Sequence, residues 1–146
     1  PDELVVCVTG DGGVQMNFQE LVVSVEHKMP VVIVILNNGY LGMVRQWQEI
    51  FYSHRYSGVA LGQDGRSRMQ RIEEASHYLP DFLKLAEAHG AQAKRIFSKD
   101  EVVPALKEAF ECGKTCVLEV IVDPEANVFP MIPPGQDVSS MILRSV

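Results

Sequence analysis

The chain is short of cysteine, of basic charge and of long apolar runs. Its 146 residues hold three cysteines, Cys7, Cys112 and Cys116. An odd number in no disulfide-like spacing predicts free thiols and a reducing compartment such as a bacterial cytoplasm. Cys7 lies in an apolar run and is expected to be a small core residue. Cys112-x-x-x-Cys116 offers half the ligands of a zinc site, but His27, His54, His77 and His89 supply no matching pair, so structural zinc is not expected. Thirteen Lys and Arg stand against nineteen Asp and Glu, a net charge of −6. That excludes a general nucleic-acid surface, which needs clustered basic residues. No apolar run reaches the roughly 18 residues of a membrane span. The opening Pro1-Asp2-Glu3 is not a secretion signal. It leads almost at once into an apolar strand without an initiator Met, so a fragment of a longer polypeptide is expected. Repeats and low-complexity segments are absent.

Apolar residues are plentiful, at 47%, enough for a proper core. The stretch from Thr9 to Asn38, TGDGGVQMNFQELVVSVEHKMPVVIVILNN, organises the rest. The run Leu4–Val8 stops at Gly10-Asp11-Gly12-Gly13. It is continuous rather than alternating, as in a strand covered on both faces. Asn17 and Glu20 have capping-box spacing, and Phe18, Leu21, Val22, Val25 and Met29 recur at helical period. Pro30 ends that helix. A second strand, Val31–Leu36, ends at Asn37-Asn38. This is a βαβ unit, and a right-handed crossover carries both strand tips to one sheet edge. Open α/β sheets bind ligands at that edge.

The two tips suggest a cation. Asp11 offers a carboxylate and Asn38 an amide oxygen, hard donors suited to a Mg²⁺ ion that also takes phosphate ligands. Gly10, Gly12 and Gly13 permit unusual backbone angles and close approach. A helix start just beyond favours an anion. Together these describe a magnesium-diphosphate cradle.

Further along, a helix is expected over 41–51, with Met43, Val44, Trp47, Ile50 and Phe51 on one face. Arg45, Gln46, Gln48 and Glu49 fall on the other. Arg45 has the chemistry to bind a substrate carboxylate, but a solvated helix-face arginine is the expectation; His54 is expected to be structural or exposed. Residues 58–79 are polar, with Gly62 and Gly65, and read first as a solvated insertion, with a mobile lid-like loop or a partner-contacting insertion as the alternatives. Pro80-Asp81 opens a helix to His89, with Gly90 beyond its end. A short strand spans 91–97. Ser98 and Glu101 make a second capping box, before a helix with Val102, Val103, Leu106 and Phe110 on one face. Pro104 means that this helix either begins nearer Val103 or bends. A last core strand spans 116–122. Four strands alternating with helices predict a three-layer α/β/α domain with a mainly parallel sheet over 1–123, followed by an extended surface tail over 124–146.

GDG, 24 residues, then NN resembles the thiamine diphosphate motif of the decarboxylase and transketolase superfamily. Residues 39–57, GYLGMVRQWQEIFYSHRYS, and 124–135, PEANVFPMIPPG, resemble the acetohydroxyacid synthase (acetolactate synthase) catalytic subunit. The resemblance covers most of the chain except 58–79. It implies thiamine diphosphate and Mg²⁺ as cofactors, with Asp11, Asn38 and the main-chain carbonyl of Tyr40 on the metal, and Asn37 structural. The cofactor would lie against Gly10, Asp11, Gly12, Gly13, Asn38, Tyr40, Gly42, Met43 and Val44. Trp47 and Met43 would shape the 2-ketoacid pocket. The family condenses pyruvate with pyruvate or 2-ketobutyrate, losing CO₂, in branched-chain amino-acid biosynthesis. It implies FAD held mainly by a domain outside this chain, a homo-oligomer with its active site at a subunit interface, and a regulatory small subunit. The family's six-stranded sheet would be incomplete here at its N-terminal side. The glutamate that activates thiamine lies in another domain of the family. Glu20 reads as a helix cap instead, so no catalytic residue is expected in this chain and it should be inactive alone. Glyoxylate carboligase, benzoylformate decarboxylase and pyruvate oxidase share GDG…NN and are the rival enzymes. An inactive remnant that binds only cofactor or a partner chain is the non-enzymatic alternative.

Overall fold

The computed structural model describes residues 3–61 and 80–143. Residues 62–79, most of the proposed insertion, lie outside the described residues.

Four strands form one sheet. They are β1 (Val5–Gly10), β2 (Val31–Asn37), β3 (Gln92–Ile96) and β4 (Cys116–Ile121), in the order β1-β2-β4-β3, and every pairing is parallel. The α-helices among the described residues are α1 (Asp11–Val14), α2 (Leu21–Glu26, entered through a 3₁₀ turn Phe18–Glu20), α3 (Gly42–Phe51), α4 (Phe82–Ala88) and α5 (Lys99–Glu111).

Alternation along β2 and β4 builds two cores. Val32, Val34, Cys116 and Leu118 face Ala105 and Ala109 of α5. Ile35 and Val117 face Leu21 of α2 and Phe82 and Ala86 of α4. The fold is therefore the expected α/β/α sandwich. Alanines let α5 lie close to the sheet; Val103 and Phe110, expected on its packed face, are exposed.

The local signals differ in outcome. Asp81 caps α4 by accepting from the Leu83 and Lys84 amides, and Gly90 follows at φ +86°. Ser98 and Glu101 form the expected capping box on α5. That helix starts at Lys99 and carries Pro104 inside, so the later start is ruled out. Proline there removes one amide donor, a loss that packing by the neighbouring alanine face offsets. The Asn17–Glu20 capping box does not form. Asn17 makes no side-chain cap bond because a 3₁₀ turn intervenes, so Glu20 is not the cap expected.

Strand β1 corrects a second expectation. It is an edge strand, and Val5, Val6 and Val8 are exposed, as is Cys7. A continuous apolar run predicts cover on both faces, but among the described residues little packs on β1. Cys7 is therefore not a core residue here. No helix among the described residues is long and apolar enough to cross a membrane.

Candidate cofactor site

Both halves of the βαβ unit end at the same sheet edge. Gly10 of β1 is in register with Leu36 of β2, so Asp11 and Asn37 come next on neighbouring strands. Asp11 is only 2% exposed. One of its oxygens accepts the Gly12 amide at 3.0 Å, and the other accepts the Gly39 amide at 2.7 Å. Gly39 has φ +72°, a left-handed conformation that costs glycine least. Its amide is shared with Asn37 Oδ1 at 3.0 Å. Asn38 Oδ1 accepts the Tyr40 amide at 3.0 Å. The Asp11 carboxylate and the Asn38 side chain thus belong to one hydrogen-bonded turn.

The glycines act differently from expectation. Gly10, Gly12 and Gly13 all avoid positive φ. Gly10 is extended, and Gly12 and Gly13 are helical within α1, which starts directly at Asp11. Gly12 and Gly13 serve close packing: a Cβ on Gly12 would meet Leu41 Cδ2 at 3.0 Å and one on Gly13 would meet Thr9 Oγ1 at 3.1 Å, whereas nothing lies within 4 Å of a Cβ on Gly10. Gly42 is tighter still, since its Cβ would stand 2.8 Å from Asn38 Nδ2. A short antiparallel bridge, Tyr40 with Ala60, pins the turn through Leu41 N to Val59 O and Leu61 N to Gly39 O.

Helix α3 follows, and it buries the polar face on which a solvated Arg45 was expected. Arg45 and Gln46 are buried, while Met43, Val44, Trp47 and Phe51 are exposed. The polar face is covered by the chain's own C-terminal segment. Arg45 donates to the Pro124 carbonyl at 2.8 Å and pairs with Glu49. Gln46 exchanges two hydrogen bonds with the Val128 backbone, at 2.9 and 3.0 Å. Asn127 donates to Glu49 at 2.7 Å. Arg45 is therefore not a solvated arginine. The tail needs hydrogen-bond partners for its backbone, and this face supplies them. The apolar face, with Met43, Val44 and Trp47, is left facing outward beside the Asp11–Asn38 turn. His54 is exposed at φ +60°, against the edge of Tyr56.

One group that sequence reasoning passed over stands behind the site. Glu119, 2% exposed, accepts from Asn37 Nδ2 and from Arg95 Nε, both at 2.7 Å. The signal was available: a carboxylate in the middle of the apolar strand CVLEVI requires partners once buried. Asn37 is structural, as expected.

The donor set suits a magnesium-bound diphosphate. Mg²⁺ sites of this type use one or two carboxylates, neutral oxygens and ligand phosphates rather than a cage of acids. Asp11 supplies the carboxylate and Asn38 the neutral amide oxygen of such a set. No cluster of three His, Cys, Asp or Glu occurs among the described residues.

Comparison with known proteins agrees with this geometry. The family profile described as thiamine pyrophosphate enzyme, C-terminal TPP binding domain, matches residues 1–120. The probable acetolactate synthase large subunit of Methanococcus aeolicus is 42% identical over 142 residues, 97% of this chain and 21% of that protein. The acetolactate synthase large subunit of Haemophilus influenzae is 41% identical over 144 residues, 98% of this chain and 22% of that one. The isozyme 3 large subunit of Escherichia coli is 43% identical over 134 residues, covering 90% and 21%. Among solved structures, a thiamine diphosphate-dependent 4-hydroxybenzoylformate decarboxylase from Rhodococcus jostii RHA1 superposes with a TM-score of 0.67 at 26% identity, covering 84% of this chain and 20% of that one. The chain spans about a fifth of the length of these relatives. Fold, sheet-edge site and sequence match lead to one conclusion: the chain belongs to the thiamine pyrophosphate enzymes, as their C-terminal cofactor-binding domain.

Proposed function

We propose that this domain serves an acetolactate synthase, condensing pyruvate with pyruvate or 2-ketobutyrate with loss of CO₂, in branched-chain amino-acid biosynthesis. The observation that carries this reading is identity of about 40% along nearly the whole chain to proteins named acetolactate synthase large subunit. Residues 1–123 are the binding domain and 124–146 its tail.

Asp11, Asn38 and the Tyr40 carbonyl would hold Mg²⁺, and Gly10, Gly12, Gly13 and Gly42 would admit the diphosphate. Met43 and Val44 would line the cofactor's ring. When bound, thiamine diphosphate supplies the nucleophilic carbon for decarboxylation and carboligation. The residues of this chain bind and position. Asp11 brings negative charge to the metal, and the Gly39 amide keeps that carboxylate oriented. Trp47 and Met43 form an apolar wall that would sort small 2-ketoacids by size. FAD and the glutamate that activates the cofactor would come from outside this chain. A homo-oligomer with a shared active site and a regulatory small subunit complete the proposed assembly.

The test is an assay of the full-length polypeptide carrying this chain with pyruvate, thiamine diphosphate and Mg²⁺. Acetolactate is the expected product. Acetaldehyde or acetyl phosphate in its place would assign one of the rival thiamine enzymes. Cofactor binding without turnover of any 2-ketoacid would leave only a binding remnant. The 146-residue chain alone is expected to be inactive.

A further inference from the structure

We propose that Glu119 is a positioning residue for the cofactor site, acting through Asn37. The inference rests on the reading of Asp11 and Asn38 as the metal edge. Glu119 lies on β4, one strand removed from β1, and touches neither proposed ligand. It is 2% exposed and accepts two short bonds, from Asn37 Nδ2 and Arg95 Nε at 2.7 Å each. Arg95 continues to Asp81 Oδ1 at 3.2 Å, the N-cap of α4.

The bond to Asn37 fixes which way that amide points. With its NH₂ turned to Glu119, its Oδ1 must face the other way, where it accepts the Gly39 amide. Gly39 is the same amide that holds Asp11. An unbroken chain of polar contacts therefore runs from half-buried Arg95 through buried Glu119, Asn37 and Gly39 to Asp11. Arg95 anchors the far end and offsets the cost of burying the carboxylate. Were the Asn37 amide to flip, its NH₂ would oppose the Gly39 N–H, two donors face to face. The turn carrying Asn38 and Tyr40 would then shift.

Glu119→Gln tests this with almost no change in shape. Glutamine has one acceptor oxygen, so it satisfies Asn37 or Arg95 but presents its own NH₂ to the other. In the full-length protein, Mg²⁺-dependent binding of thiamine diphosphate is measured by calorimetry, with thermal unfolding of the apoprotein alongside. The expected result is a loss of about 10- to 100-fold in Mg²⁺ affinity, the usual cost of losing an outer-shell partner. A lower melting temperature with unchanged Mg²⁺ affinity would mean a merely structural carboxylate and would overturn the proposal. Should Glu119→Gln not fold, the swap Asn37→Asp with Glu119→Gln restores donor–acceptor order along the chain at the same net charge. Retention of Mg²⁺ affinity within about threefold in the swap supports the proposal, and loss of it in a folded swap defeats it. Absence of Mg²⁺-dependent binding in the wild type would instead sink the cofactor reading itself, a distinguishable failure.

Discussion

The Asp11 carboxylate accepts the Gly39 amide at 2.7 Å, so the tip of β1 holds the turn beyond the tip of β2. This contact makes one site from two strand ends that are far apart in sequence. It also separates two roles that one carboxylate performs, structural acceptor and proposed metal ligand.

Asp11→Asn removes the charge and keeps one acceptor oxygen, so it satisfies the Gly39 or the Gly12 amide while its NH₂ faces the other. It should lose about 1–2 kcal/mol of stability. Its Mg²⁺ affinity should fall by about two orders of magnitude, because ligand charge count governs such sites. Asp11→Ala should lose both. The buried amide would keep only Asn37 Oδ1, at a cost of about 1–2 kcal/mol. Urea midpoints and calorimetric Mg²⁺ titrations of the three proteins check this, and equal affinities in Asp11→Asn and wild type would remove Asp11 from the metal.

Gly42→Ala probes the other donor. The added Cβ would stand 2.8 Å from Asn38 Nδ2, closer than real contacts allow. The atom in the way is the end of a side chain, so the backbone need not move. Alanine also suits the first turn of α3, and the variant should be as stable as wild type within about 1 kcal/mol. The Asn38 amide must turn aside, and thiamine diphosphate should bind at least about tenfold more weakly in the presence of Mg²⁺. Unchanged binding would show that the Asn38 side chain contributes nothing to the site.

The fold was legible because its signals are local and strong. Continuous apolar runs marked β1, β2 and β4, and Asp81, Gly90, Ser98 and Glu101 marked helix ends. The orientation of α3 was not legible. Its apolar and polar faces are both clear in sequence, but which one is buried depends on what packs there. Here the tail from Pro124 to Val128 covers Arg45 and Gln46 with hydrogen bonds, and the apolar face is left outward. Periodicity reads the pattern and not the partner. The same limit applies to Glu119: its neighbours Asn37 and Arg95 are 82 and 24 residues away in sequence, and only sheet order brings them together.

The covered face of α3 leads to a prediction about the tail. Arg45 has a side-chain exposure of 5%, Glu49 of 20%, and the guanidinium also holds the Pro124 carbonyl. Arg45→Ala would leave a largely buried carboxylate and a carbonyl short of partners, a loss of about 2–3 kcal/mol. Arg45→Lys should recover little, because an ammonium cannot fork between Glu49 and Pro124. Limited proteolysis should cut the Arg45→Ala protein beyond residue 124 sooner than wild type. Equal cleavage rates would mean that the tail is held elsewhere.

The last prediction concerns alkaline pH. Cys116 is buried at the start of β4, with its sulfur 2.8 Å from that of Cys112. Burial first, and the contact with Cys112 second, push its thiol up to about 12 from an ordinary 9.0. The folded chain therefore holds this proton more tightly than the unfolded chain does. Its contribution to stability is complete below about pH 9 and is lost as pH climbs from there toward 12. Wild type should lose more stability between pH 8.5 and about 11 than Cys116→Ala, in which no thiol ionises at that position. Denaturant midpoints across that range, compared between the two proteins, isolate the difference from lysines and tyrosines common to both. Alkylation by iodoacetamide at about pH 8 should be slow at Cys116, which is buried and holds its proton. Rapid labelling of Cys116, or parallel pH profiles, would show that Cys116 ionises as an ordinary thiol.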